Sequence, residues 1–404
     1  MVPASSLTAA ASGGTVGFSG HEEVAVKRLT ILACAISLVV VIAVVAGYRG
    51  DHGGPGRRVS PASVVAPQAG MPAGLAAVFI LGSGGKSALV RTSDGAEPTT
   101  ISTGIDGNLL AVSPAPTSAV AAVVVADDDG ALRLIVLEID GSVSSVLSTI
   151  DDVGAGRPVW SPDGQSLAYS ANGGLNINVV DVDDWQRTAQ FVATDYVLQP
   201  DWECGPLSPV TIAPYAWSPD GTDVAGTATS TCGEAEFVDL VSFDVASGAI
   251  TELADAGDQT YAPSYSSDGR WLAFASDHGV GILSIGEAKV VATAPGDSPA
   301  WRPGHDELVW GHREPDDEGN TFISGLSSAT VLGNGSLEAL ATFELLGASL
   351  PRWAADGTVL VAISADGVSV GDPSAGLMSM VAALQPGQEV VDYGLLSVSQ
   401  NGAV

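Results

Sequence analysis

The stretch Pro158-Val159-Trp160-Ser161-Pro162-Asp163-Gly164-Gln165-Ser166-Leu167-Ala168-Tyr169-Ser170 decides the fold. It reads as an aromatic residue, a tight turn and a short apolar strand. Pro162 presets φ for the turn, Asp163 can bond to nearby backbone, and Gly164 can take positive φ. Leu167 and Tyr169 then alternate with smaller residues, as on a strand. The phrase returns as Trp217-Ser218-Pro219-Asp220-Gly221 and as Tyr265-Ser266-Ser267-Asp268-Gly269. Looser copies are Trp301-Arg302-Pro303-Gly304 and Trp353-Ala354-Ala355-Asp356-Gly357, and Val112-Ser113-Pro114 keeps only the Ser-Pro.

Around these phrases the chain from Leu75 onward is a succession of short β-like runs, such as Ala76 to Leu81, Val120 to Ala126 and Leu272 to Ala275, divided by Gly, Pro, Asp and Ser. No stretch there has a helical period, so the domain is all-β. The motif anchors at 112, 160, 217, 265, 301 and 353 lie 48, 57, 48, 36 and 52 residues apart. Periods of roughly 40–50 residues with about four strands per unit mark a β-propeller. Each turn phrase would then join the inner strand of a blade to the next strand, and each aromatic would pack between neighbouring blades. The strands at 76–102 precede the first anchor, and Glu389 to Ser399 can supply their missing inner strand. That arithmetic predicts seven blades, with six as the alternative.

The repeats resemble the TolB-like, WD-repeat-like propeller family, in which an aromatic-Ser-Pro-Asp-Gly phrase opens each blade. The resemblance covers residues 75–400. It rests on Trp160, Asp163 and Gly164, on Trp217, Asp220 and Gly221, and on Tyr265, Asp268 and Gly269. Trp301 and the set Trp353, Asp356 and Gly357 are degenerate copies. It implies a fold more than an activity, because propellers host binding, scaffolding and catalysis alike.

The 404-residue chain carries a formal net charge of −31. Residues 75–404 hold 10 basic and 43 acidic residues, a net of −33. Such a surface repels phosphate backbones, which excludes nucleic acid as a partner. There are three cysteines. Cys34 sits in an apolar run. Cys204 and Cys232 are too few and too separated for a zinc site but suit one disulfide if the domain faces an oxidising compartment; two separate buried thiols are the alternative.

Residues 1–28 are a tail rich in Ser, Ala, Gly and Thr. Residues 29–48 begin with the uncharged run Leu29 to Ala46, about the length that crosses a bilayer as a helix and without the polar face of a soluble core helix. The region before it is long and contains Glu22 and Glu23, which favours an uncleaved signal anchor over a signal peptide cut before Gly47. Residues 49–74 form a Gly/Pro-rich linker, and 75–404 the propeller.

Other constellations read as structure. Gly82-Ser83-Gly84-Gly85-Lys86-Ser87 lacks the leading glycine of a phosphate loop and reads as a hairpin. Asp127-Asp128-Asp129-Gly130 lacks calcium-loop spacing. His278, His305 and His312 join no ligand cluster, and there is no Gly-x-Ser-x-Gly elbow. The segments Tyr196 to Tyr215 and His312 to Asn320 are candidate recognition loops. The expectation is a non-enzymatic, cofactor-free propeller, held by one helix in the membrane with its C-terminal domain outside the cytoplasm, that binds or scaffolds envelope proteins. The alternative is a lyase or glycan hydrolase acting at the central channel, which needs His, Arg or carboxylates converging on one rim.

The anchor reading has a direct check. The protein is expected to stay in the membrane fraction after a high-pH carbonate wash; a soluble chain starting at Gly47 would show instead that Leu29 to Ala46 is a cleaved signal peptide.

Overall fold

The structure, a computed structural model, describes residues 74–93, 97–198, 207–254, 260–315, 321–344, 349–364, 366–372 and 377–397. The anchor run Leu29 to Ala46, the tail, the linker and Cys204 lie outside the described residues. Among the described residues no helix is long and apolar enough to cross a membrane.

The strands group into seven four-stranded antiparallel sheets. β1 (Leu75–Ser83), β2 (Lys86–Thr92) and β3 (Thr99–Thr100) form three strands of a sheet that the last strand completes. The next blade is β4 (Asn108–Pro114), β5 (Val120–Ala126), β6 (Leu132–Asp140) and β7 (Val143–Asp151). After it come β8 (Val159–Trp160), β9 (Ser166–Ala171), β10 (Asn176–Asp181) and β11 (Arg187–Val192). A fourth sheet holds β12 (Thr211–Trp217), β13 (Asp223–Cys232), β14 (Ala235–Asp244) and β15 (Ile250–Ala254). The fifth holds β16 (Tyr261–Tyr265), β17 (Trp271–Ser276), β18 (Gly279–Ser284) and β19 (Lys289–Ala294). β20 (Asp297–Trp301), β21 (Glu307–Pro315), β22 (Thr321–Val331) and β23 (Leu337–Glu344) make the sixth. β24 (Ser349–Trp353), β25 (Leu360–Ser364), β26 (Gly367–Asp372) and β27 (Leu377–Ala383) make the last, before β28 (Gln388–Ser397).

The first strand of every blade neighbours the first strands of the blades on either side, with β28 between β24 and β4, so the seven inner strands close a ring. Closure is by pairing of the chain's two ends: β28 runs antiparallel to β1, from Leu75 opposite Ser397 to Ser83 opposite Gln388. The seven-bladed reading holds, and the strands before the first anchor are the outer part of this closing blade.

Middle strands are buried on both faces because each sheet is covered by a neighbour on either side. Trp271–Ser276 and Gly279–Ser284 are buried throughout. These strands therefore read as continuous apolar runs instead of alternating ones, as strands covered on both faces do. Outer strands keep polar positions: β7 is exposed at six of nine residues, which leaves its edge in water.

The repeated turn sits where expected, between the first and second strands of a blade. Ser161 N–H donates to Ser166 O at 2.8 Å, and the same bond recurs from Ser218 to Asp223, Ser266 to Trp271, Arg302 to Glu307 and Ala354 to Val359. In the second blade the equivalent bond runs from Ala115 N–H to Val120 O. The aromatic position of that blade is thus Pro114, and placing the anchor at Val112 is corrected by two residues. Matching Ser113-Pro114 to the Ser-Pro of the other copies caused the slip. The true copy begins one residue before Ala115 and has lost its aromatic altogether.

Three inner strands share a further device. Ala262, Ser298 and Leu350 take left-handed backbone conformations, with φ of 51°, 50° and 50°. Each precedes a proline, Pro263, Pro299 or Pro351, and each lies in a register shift against the second strand. Proline lacks an N–H and is tolerated on an edge strand or at a bulge; the inner strand is the channel-side edge of its sheet.

Deleting residues 389–404 would strip β1 of its inner partner and uncover Ala76, Ala77, Val78 and Ile80, all at most 1 % exposed. A sharp fall in melting temperature with aggregation is expected; an unchanged melting temperature would mean that the ring closes without β28.

Candidate functional site at the channel rim

The repeat residues are engaged in holding the blades. Ser161 Oγ donates to Asp163 Oδ1 at 2.6 Å and accepts from Ser166 N–H at 2.9 Å. Asp163 Oδ1 also accepts from Gln165 N–H at 3.0 Å. Ser218 with Asp220, and Ser266 with Asp268, repeat this clamp. The Ser hydroxyls, then the backbone N–H groups, hold Asp163 and Asp220 below the usual carboxylate range. Gly164, Gly221, Gly269 and Gly357 close the turns at φ of 72°, 73°, 70° and 68°, a region that favours glycine. Asp356 has no serine partner and instead accepts from Thr358 N–H and Oγ1 at 3.0 and 2.7 Å.

The aromatics face the preceding blade. Trp160 packs with Ala111, Val124, Leu134 and Val136, and its indole N–H donates to Ser113 O at 2.7 Å. Trp217 does the same to Val159 O at 3.0 Å. Tyr265 packs against Leu240, Leu272 and Leu283, and Trp301 lies in the cluster of Trp271, Leu308 and Trp310. Trp353 differs: the Arg302 guanidinium lies over its ring at 4.7 Å, and the indole borders a cavity.

That cavity, of about 180 Å³, opens at the end of the channel where the turn phrases lie. Pro114, Pro116, Trp353 and Leu395 supply apolar walls, and Arg157 and Arg352 are the charged lining. Behind them stands Asp392 on β28. Arg352 Nη1 donates to Asp392 Oδ1 at 2.7 Å and also to Tyr393 O. Val112 N–H donates to Asp392 Oδ2 at 2.8 Å. Arg157 Nη2 donates to Tyr393 O at 3.3 Å, and its Nε stands 3.6 Å from Asp392 Oδ2. One carboxylate thereby ties its own blade to the preceding one through β24, to the following one through β4, and to the connection entering β8.

The electrostatics follow from this crowding. Burial alone would raise the Asp392 pKa, but Arg352, Arg157 and the Val112 N–H outweigh it and hold the carboxyl below its usual range. Burial, and then the charge of Arg352, lower Arg157 to about 10. Burial pushes the Tyr393 hydroxyl up. At neutral pH the cluster is two guanidiniums and one carboxylate, a local excess of one positive charge in an acidic protein.

Two other clusters are present. Asp297 Oδ2 accepts from Arg313 Nη2 at 2.7 Å and from Tyr261 OH at 3.2 Å, bridging the blades of β16 and β20. His312 Nδ1 lies 2.9 Å from Ser327 Oγ, and its Nε2 lies 3.4 Å from Glu314 Oε1. The order hydroxyl, imidazole, carboxylate resembles a nucleophile relay, but Ser327 is 5 % exposed and also meets Thr342 Oγ1 at 3.2 Å, inside the sheet. Among the described residues no group of His, Cys, Asp and Glu could hold a metal ion. Gly84 and Gly85 form the tight turn of the β1–β2 hairpin. Cys232 ends β13 and is disulfide-bonded; its expected partner Cys204 lies outside the described residues, as do parts of both candidate loops.

Sequence reading missed Arg157, Arg352 and Asp392. One signal was available: of the propeller's ten basic residues, Arg157, Arg302 and Arg352 all lie within three positions of an aromatic anchor. Nothing local marks Asp392, whose partners are 40 and 280 residues away.

Comparison with known proteins bears on the fold. No family model matches the chain. It is similar to the uncharacterized peptidase YuxL of Bacillus subtilis, 27 % identical over 158 residues, which are 38 % of this chain and 20 % of that one. The chain thus spans about a fifth of the curated relative it matches. It also resembles TolB from Acinetobacter baumannii, with 20 % identity, a TM-score of 0.42 and coverage of 69 % of this chain and 66 % of that one. A protein from Bacteroides fragilis proposed to be a 6-phosphogluconolactonase superposes with a TM-score of 0.51 at 13 % identity, over 80 % of this chain and 97 % of that one. The fold is a seven-bladed β-propeller. At these identities the likeness speaks to fold alone.

Replacing Asp392 by Asn removes the charge both arginines face, and a loss of roughly 1.5–3 kcal/mol of stability is expected at neutral pH. Because the folded-state pKa is depressed, the carboxylate's contribution is present above the unfolded value near roughly 4 and disappears as pH falls through the folded value. Urea melts between pH 7 and pH 3 should show a steeper loss for the native chain than for D392N. Parallel curves would show that the pair is electrostatically idle.

Proposed function

We propose that the chain is a membrane-anchored, extracytoplasmic propeller that docks a protein partner of the cell envelope at its channel rim. One observation carries this reading: the rim cavity is lined by apolar side chains and two arginines, whereas the repeat residues around it are engaged in blade contacts. A concave site with apolar walls and a few convergent polar groups is the usual form of a binding site. The uncharged run Leu29 to Ala46 supports the anchor. The disulfide at Cys232 supports an oxidising compartment.

The channel is also where the enzymatic alternative would have to work, and its chemistry fits less well. Glycan hydrolysis by the usual route needs two carboxyl groups, one of them protonated as an acid. Among the described residues the cavity lining has no carboxylate, and Asp392 behind it is held ionised and paired, a poor acid and a weak base. Arginine, with a pKa of about 10 even at Arg157, remains a cation and not a base.

The test is site-specific crosslinking in intact cells. A photoreactive residue at exposed Ala355 on the rim is expected to capture a discrete envelope protein. The same residue at exposed Ser145 on outer strand β7 should not. Equal capture from both positions, or from Ser145 alone, would move the docking surface away from the channel.

A further inference from the structure

We infer that the rim cavity is a carboxylate site: it receives one carboxylate of a polypeptide segment of the partner, with the apolar neighbour of that group against Trp353, Pro114 and Leu395. This rests on the docking reading above and names the chemistry of the docked group.

The argument begins with scarcity. The propeller has ten basic residues against 43 acidic ones, yet two of the ten share one cavity whose lining, among the described residues, contains no acid. Asp392 does not satisfy both. Arg352 engages it through Nη1, and Arg157 Nε stands beyond hydrogen-bond reach at 3.6 Å and is buried without an acceptor. Among the described residues Arg352 Nε and Nη2, and Arg157 Nη1, hold no hydrogen bond. Their side chains remain 23 % and 28 % exposed, open enough to be reached. A charged acceptor makes the strongest partner for the guanidinium N–H groups that stay open to the cavity. A second anion would also relieve the repulsion between the two guanidiniums.

Charge and size select the anion. The cluster's excess is a single positive charge, which matches a monoanion. A dianionic phosphate would leave one charge uncompensated within a protein of net charge −31. The planar guanidinium fork matches the two oxygens of a carboxylate. About 180 Å³ suits a side chain or a chain end more than a lipid headgroup or a sugar phosphate. The same overall charge disfavours free small anions, so affinity must come partly from apolar contact with Trp353 and the prolines, which a peptide residue supplies.

Full-length protein in detergent can be titrated by saturation-transfer NMR with N-acetyl-leucine, which ends in a carboxylate, and with N-acetyl-leucinamide, which does not. The acid is expected to bind at least tenfold more tightly. N-acetyl-glutamic acid α-amide carries its carboxylate on the side chain, and the tighter of the two acids names the source. In Arg157→Gln the preference for acid over amide should disappear. Arg157→Lys keeps the charge without the fork and should weaken the acid several-fold, which covers the case in which the Gln variant does not fold. Equal binding of acid and amide to the native protein, an undiminished preference in a folded Arg157 variant, or tighter binding of inorganic phosphate than of either acid would overturn the inference. Rim crosslinking to a partner that persists in folded Arg157→Gln would leave the docking reading standing while removing the carboxylate; probe binding without any rim crosslink would do the reverse.

Discussion

A ring of sheets is stable only if its last sheet can be completed. Here the first and last strands of the propeller, β1 and β28, lie more than 300 residues apart in the chain and pair along their whole length. Without that pairing the closing blade would present an unpaired strand edge and a buried apolar face to water. Asp392 adds a polar fastening at the channel end of the same strand, reaching β24, β4 and the entry to β8. The closing strand is therefore both a hydrogen-bonded edge and an electrostatic hub.

The blades themselves are joined by a small vocabulary used repeatedly. An aromatic at the end of the inner strand covers the preceding blade, and in two cases its indole N–H caps a carbonyl there. The Ser-Pro-Asp-Gly turn behind it is held by a serine and an aspartate that satisfy each other and the local N–H groups. Where the phrase decays, arginine takes over. Arg302 stands at the serine position, donates to Glu307 and Asp372 at 2.9 and 3.1 Å, and covers Trp353. The weaker repeats late in the chain are thus compensated by ion pairs between blades, partly shielded from water and correspondingly less screened than surface pairs.

The same substitution of charge for motif shapes the candidate site. Pro114 stands where five other blades place an aromatic, and it lines the cavity. Arg352 and Arg157 sit one and three residues before their tryptophans and line the same cavity. On the proposed docking reading, the acidic surface would reject most anions and the cationic, apolar-walled mouth would favour those that bring apolar surface.

The sequence by itself determined the fold class and the repeat, and favoured seven blades over six. Those rest on local chemistry: Asp163 and Gly164 make a turn wherever they occur, and apolar runs between turns make strands. The pairing of the chain ends was legible by arithmetic, since an incomplete first blade calls for one more strand. Register in the second blade was not, because Ser113-Pro114 matches the motif two residues early and only the Ala115 to Val120 bond decides it. The rim cluster was not legible either. Asp392 meets Val112 and Arg352 through ring closure, and its depressed titration exists only once burial and two guanidiniums surround it. Local pattern specifies each blade, but which side chains share the channel is set by the order of blades around the ring, and that geometry exists only in the tertiary structure.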